Sequence, residues 1–407
     1  MLIVVARLGL PEMVGQFALS MAVTTPVIML LGMDLRTVQA TDQSNQYPFA
    51  DLFTLRVIAL SMAMAVIVGF TLWNGYKQDT ALLILVMGLA KCVESLSDLC
   101  HGTLQQYERL DQMARARILR GLASVAMLAA GLYAFNSLMI ATVCMSAMWL
   151  GILICHDWPL AYRLLQEAGA STSLFRFRPQ QLWQLLLPAI PTGLLTCQAS
   201  LEQTLPRLFV DGYLGERELG VYSAVSSLVI ASTMVINAVH CAVLPRLAKF
   251  TLNQQWKQSW QLVIKLGLFG GALGIAGMGA VWLLGAWVLN VAFGPDYAAQ
   301  SPLLLILMLA ATIRYATLSL STGIRAARRF WQLSILQTIS LVATIPFLIV
   351  LVGRLGALGA AYATVVMAVL FAVLQIPATL LILRSNGQPA VQQPTLEIAP
   401  FDVRGAA

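Results

Sequence analysis

Residues 80–103 read TALLILVMGLAKCVESLSDLCHGT. Residues 81–90 carry no polar side chain, whereas Lys91, Glu94 and Asp98 follow at spacings of three and four, on one face of one helix. A soluble amphipathic helix keeps its polar face along its whole length. This one is apolar all round for nearly three turns and then charged on one side. That pattern predicts a helix that crosses a bilayer with its charged face toward the interior of a bundle. A charge facing lipid at mid-depth would cost roughly 2.5–3.5 kcal/mol on insertion scales.

The rest of the chain agrees. Of 407 residues, 59% are hydrophobic and 11% charged, with a mean hydropathy of +0.78. Soluble domains carry about 25% charged residues, and disordered chains need low hydrophobicity. Both classes are excluded. A crossing needs about 20 apolar residues. Eleven such runs lie at roughly 14–33, 52–73, 80–103, 117–134, 137–156, 182–210, 218–243, 261–291, 300–324, 330–352 and 355–383. The expectation is an all-α, polytopic membrane protein of eleven full transmembrane helices. Met1–Leu8 reads as the end of a clipped first helix, and no cleavable leader is visible.

Loop charges set the orientation. One set holds Arg36; Arg109, Arg115, Arg117 and Arg120; Arg163, Arg176 and Arg178; Arg246, Lys249 and Lys257; Arg325, Arg328 and Arg329; and Arg384. The alternate set holds only Arg7, Lys77, Arg217 and Arg354. The arginine-rich loops and the C-terminus are therefore expected in the cytoplasm. The net charge of +7 belongs to these loops rather than to a nucleic-acid surface, so no nucleic-acid partner is expected.

A weak internal repeat divides the chain. LGLPEMVGQF (8–17) matches LGERELGVY (214–222), each with a glycine, Gly15 or Gly220, before an aromatic residue. LLILVMGLA (82–90) matches LLLILMLAA (303–311) in the same order. This predicts two pseudo-symmetric six-helix lobes around a central cavity. Residues 1–156 form the N-terminal lobe, 157–181 a cytoplasmic inter-lobe loop, 182–384 the C-terminal lobe and 385–407 a disordered cytoplasmic tail.

Six charges inside spans stand out: Arg56, Lys91, Glu94, Asp98, Glu202 and Arg314. Lys91 can pair with Glu94, and Arg56 with Asp98. Such pairs either fix helix packing or line a hydrophilic cavity. In the second reading Arg56, Lys91 and Arg314 bind an anionic headgroup, and Glu94, Asp98 and Glu202 serve as coupling or structural partners. His240 reads as a hydrogen-bonded core residue. Gly267, Gly270, Gly271 and Gly274 form overlapping GxxxG patterns for close helix contact. There is no HExxH, Walker loop, GxSxG or aspartate cluster, and the six cysteines are not clustered as ligands. The chain is expected to need no metal or cofactor and not to be an enzyme.

LGLPEMVGQFALSMAVTTPVIMLLGMDLR (8–36) resembles the second helix of lipid-linked oligosaccharide flippases, in the multidrug/oligosaccharidyl-lipid/polysaccharide exporter superfamily. VQATDQSNQYPFADLFTLRVI, LAKCVESLSDLCHGTLQQYERLDQMARARILRG and LPRLFVDGYLGERELGVYSAVSSLV resemble the following segments of its O-antigen branch. FGPDYAAQSPLLLIL and GRLGALGAAYATVV resemble late helices across the superfamily. The resemblance implies movement of an undecaprenyl-diphosphate-linked O-antigen or other surface-polysaccharide unit across the bacterial inner membrane. It implies a lipid-linked oligosaccharide substrate in a bilayer, with a polysaccharide polymerase and a chain-length regulator as partners. The alternatives are a cation-coupled drug antiporter of the same fold, a membrane glycan polymerase or ligase, and an inactive truncated exporter. Short outer loops argue against the polymerase or ligase.

Overall fold

The computed structural model describes residues 1–41, 47–169, 175–253, 255–327 and 329–385. These residues form fourteen α-helices and no strand. The first half holds α1 (Leu2–Leu8), α2 (Pro11–Gly32), α3 (Leu35–Thr41), α4 (Phe49–Asn74), α5 (Gln78–Gln106), α6 (Leu110–Phe135), α7 (Leu138–Ile152) and α8 (Trp158–Glu167). The second holds α9 (Pro179–Leu214), α10 (Glu216–Leu252), α11 (Trp256–Phe293), α12 (Ser301–Ala326), α13 (Phe330–Leu355) and α14 (Ala357–Ser385). The tail expected beyond Ser385 lies outside the described residues.

Among the described residues, ten stretches are long and apolar enough to cross a membrane, and the chain is a multi-pass membrane protein. They account for every run read from the sequence except 182–210, which lies within the 36-residue α9. Its second half carries Gln198, Glu202, Gln203 and Arg207, which dilute its apolar character. Helices suit this environment because they satisfy every interior backbone group internally. Exposed aromatics ring the two ends: Trp73, Tyr133, Trp282 and Trp287 on one side, Trp183 and Trp331 on the other. Such belts sit at headgroup depth.

On the low-charge side α4, α6, α9, α11 and α13 each end on a residue of positive φ. Gly215 (φ 85°) alone separates α9 from α10. A side chain would be strained there. Asn136, which tolerates this conformation, ends α6 in the same way.

One expected loop is partly helix. Over 157–181, α7 continues through a π-helical turn (Leu153–Asp157) into α8. Ala161, Leu164 and Leu165 are buried at helical spacing while Tyr162, Arg163 and Gln166 face outward. That apolar stripe packs on α5, and it is short enough to be hidden among charges in a sequence scan.

The packing plan recurs in the two halves. α2 packs on α4 and α5, and α10 on α11 and α12; α5 packs on α7, and α12 on α14; α6 packs on α7, and α13 on α14. The repeated glycines meet where α2 crosses α10. A Cβ on Gly15 would overlap the Glu216 carbonyl, and one on Gly220 would overlap the Pro11 carbonyl. Glu216 secures the crossing: Thr80 Oγ1 donates to its Oε1 at 2.6 Å, and Gln16 Nε2 to its Oε2 at 3.1 Å. The GxxxG stripe of α11 acts as expected. Gly270 sits against the Tyr315 backbone and Gly274 against Thr312, where a Cβ would stand 2.8 Å from its Cα.

Candidate functional site

A cavity of about 580 Å³ opens among α9, α10, α12 and α14, with Asp34 and Thr37 closing it from the first half. Its volume falls within the roughly 300–1,000 Å³ range of small-ligand sites. Along α12 the lining runs Leu307, Ala311, Arg314, Leu318, Thr322 and Arg325. This is one helix face, spanning about 27 Å at 1.5 Å per residue. The lining does not pass the Gly15–Gly220 crossing, and its other end reaches Leu244, Arg325 and Phe330 beside the arginine-rich loops.

Arg314 lies midway along this face. Its Nη1 donates to Glu202 Oε1 at 2.9 Å, and its Nη2 pairs with Oε2, so the contact is bidentate. The Phe371 ring lies under the guanidinium, 4.7 Å from centroid to Cζ. Gln337 Nε2 donates to the same Glu202 Oε1 at 2.8 Å. Two helices and an aromatic face thus fix a planar cation against the cavity, in an orientation suited to carboxylate or phosphate.

Two more arginines line the cavity. Arg207 on α9 donates from Nη2 to Ser226 Oγ at 3.3 Å, while its buried Nε has no hydrogen-bond partner. Arg325 occupies the last turn of α12. Neither forms an ion pair among the described residues. In the sequence Arg325 counts as a loop charge. The signal that could have found it is its spacing: eleven residues after Arg314 is three helical turns, hence the same face. His240 is hydrogen-bonded as expected, Nδ1 to Thr322 Oγ1 at 2.9 Å, but it also lines the cavity. Tyr315 caps the polar wall, its hydroxyl within 2.7 Å of Ser232 Oγ and 3.0 Å of Thr233 Oγ1.

The structure therefore brings Arg314 and Glu202 together in the cavity and places Arg56, Lys91, Glu94 and Asp98 outside its lining. Lys91 pairs with Glu94 as expected, at 2.8 Å, and lies 5.9 Å from the Trp149 ring centre. Arg56 does not form the expected pair with Asp98. Its Nη1 stops at Ser95 Oγ, 2.9 Å away, one turn short, in space left by Gly32. Asp98 instead faces Arg117 at 3.4 Å, His101 at 3.7 Å and Arg36 at 3.8 Å.

Asp157, in the π-helical turn, anchors this second polar group. It is fully buried, accepts from Ser97 Oγ, and lies 3.5 Å from His101 Nε2 and 3.0 Å from His156 Nδ1. Asp157→Ala strands the buried Ser97 and His101 in the core, at about 1–3 kcal/mol for each unsatisfied group. Thermal unfolding in detergent is expected several degrees lower, and an unchanged midpoint would contradict the structural role.

The fold is shared with solved transporters. An inward-facing multidrug resistance MATE family transporter of the MOP superfamily superposes with a TM-score of 0.79 at 14% identity, covering 95% of this chain and 94% of that one. The lipid II flippase MurJ, in an inward closed conformation, superposes with a TM-score of 0.73 at 11% identity, covering 93% and 83%. Among characterised sequences, the capsular polysaccharide biosynthesis protein CapF of Staphylococcus aureus is 22% identical over 366 residues, 88% of this chain and 89% of that protein. These neighbours are flippases, transporters or polysaccharide-biosynthesis proteins. A family model described as polysaccharide biosynthesis protein matches residues 1–251, more than half of the chain, and the chain belongs to that family.

Proposed function

We propose that the protein is a flippase, not an enzyme. In this reading it moves an undecaprenyl-diphosphate-linked oligosaccharide across the bacterial inner membrane by alternating access. The cargo is the repeat unit of an O-antigen, a capsule or another surface polysaccharide. The observation that carries the reading is a membrane cavity lined by three arginines, with Arg314 paired to Glu202 at mid-depth and Arg325 and Arg207, nearer its two ends, without an ion pair among the described residues. Cations cost free energy there unless an anion offsets them, and a diphosphate is the anion common to such substrates. The cavity holds a headgroup rather than a polyprenyl chain, so the lipid stays in the bilayer. Family membership and the likeness to CapF and MurJ support the same class of substrate.

In this reading the arginine-rich side and the C-terminus are cytoplasmic, and a polymerase and a chain-length regulator act next on the flipped unit. Of the cations singled out from the sequence, Arg314 is the anion's ligand. Arg56 and Lys91 lie outside the lining and serve as comparison variants. The MATE likeness together with the cavity carboxylate Glu202 favours one second reading, a cation-coupled drug antiporter.

Deletion of the gene in its source bacterium decides between them. The expected result is loss of surface polymer with lipid-linked units retained in the inner membrane, restored by the cloned gene. Unchanged polymer with increased drug susceptibility would favour the antiporter.

A further inference from the structure

Glu202 fills the fork of Arg314 with the two-oxygen geometry that a phosphate would use. An anionic substrate therefore cannot reach both Nη atoms until Glu202 leaves. Gln337, 3% exposed, steadies the carboxylate from behind, and Phe371 steadies the guanidinium. Arg207 and Arg325, on the same cavity, have no such carboxylate among the described residues. Of the three cavity arginines, only Arg314 carries a resident anion among the described residues.

We propose that Glu202 is an internal counter-ion, displaced from Arg314 by the substrate's phosphate and returned to it when the cavity empties. The inference rests on the flippase reading above and deepens it. A carrier that resets empty must take its binding cation through mid-membrane without cargo, and an unpaired buried charge opposes that step. With Glu202 in the fork Arg314 is compensated in the empty cavity; with substrate bound, the phosphate compensates it. Displaced Glu202 remains beside Gln337 at the cavity surface. The carboxylate lowers affinity, because it must be displaced, and speeds the empty return, so Glu202 trades tight binding for turnover.

The test uses the full chain in proteoliposomes with a fluorescent lipid-linked diphosphate oligosaccharide. Net flipping requires the empty return, whereas exchange with both leaflets loaded does not. Binding is read separately from the cavity-lining, exposed Cys241. Kept as the sole cysteine, it reacts with a maleimide, and inorganic pyrophosphate is expected to protect it. In E202Q the half-protecting pyrophosphate concentration is expected to fall about tenfold, equivalent to about 1.4 kcal/mol. Net flipping is expected to fall about tenfold, with exchange within twofold of the parent. E202D, which keeps the charge on a shorter stem, is expected to restore net flipping and to show a threefold protection shift.

Unchanged protection in both variants, or equal losses of net flipping and exchange in E202Q, overturns the proposal. E202D also serves if E202Q does not fold. A parent protein that flips in neither mode defeats the flippase reading instead, while a tenfold protection shift between that parent and E202Q still supports the counter-ion.

Discussion

Arg314→Ala is expected to lower flipping of the lipid-linked oligosaccharide at least a hundredfold. The side chain offers a bidentate fork, and charge-assisted hydrogen bonds contribute about 1.5–3 kcal/mol each. Losing both contacts to a phosphate removes at least about 2.7 kcal/mol of binding that the transport cycle uses, which is a factor of a hundred. Arg314→Lys keeps the charge but not the planar fork, so it should recover only part of the rate. Arg314→Ala also leaves Glu202 without its cation. Breaking a buried pair costs about 3–5 kcal/mol, but the two side chains keep 25% and 12% of their surface exposed. The stability loss is therefore expected nearer 2 kcal/mol.

A double variant separates the two effects. Arg314→Ala with Glu202→Gln removes both charges, so the fold should regain most of its stability while transport stays lost. Surface polymer and detergent unfolding, measured on the same variants, give both readings. Normal export by Arg314→Ala would remove Arg314 from the site. Recovery of export in the double variant would reduce the pair to a packing feature.

The membrane fold was legible because lipid imposes a strong rule. Apolar runs of about 20 residues must be helices, and alternating arginine-rich loops mark the ends of those runs. Of the two loose matches behind the expected repeat, the first picks out glycines that meet: Gly15 and Gly220 pack at one crossing. Helix partners were less legible. Depth along a span follows from counting residues, but facing does not. Arg56 and Asp98 were matched by depth, yet Arg56 ends on Ser95, and Asp98 is taken by Arg36 and Arg117 from other elements and by His101 one turn along its own helix. The Glu202–Arg314 pair joins α9 to α12 across 112 residues of sequence, and no local spacing announces it. Arg325 was hidden by its place at a span end, where a charge looks like an ordinary loop anchor. The stripe of α8 was hidden by its length.

Gly15→Val and Gly220→Val are expected to abolish transport by holding the crossing of α2 and α10 apart. Each glycine lets one helix rest on the backbone of the other: Gly15 on Glu216, and Gly220 on Pro11 and the Gly15 nitrogen. Because the obstacle is main chain rather than a flexible side chain, no rotamer change accommodates a new Cβ. Overpacking of this kind costs about 1–3 kcal/mol in a close-packed core. It acts here on one end of the molecule, so the cost is paid by separating α2 from α10. Separation also breaks the Glu216 contacts to Thr80 and Gln16, which reach across the same crossing. Thr80 is fully buried under that contact. A Thr80→Cys variant in a cysteine-free background should therefore react slowly with a membrane-impermeant maleimide, and at least tenfold faster once Gly15→Val is added. The cavity beyond would then lie open on the side that alternating access must close, and net flipping would stop while the helices stay inserted. Slow labelling together with normal export in Gly15→Val would show that this crossing is a passive contact, and would move the closing surface elsewhere in the bundle.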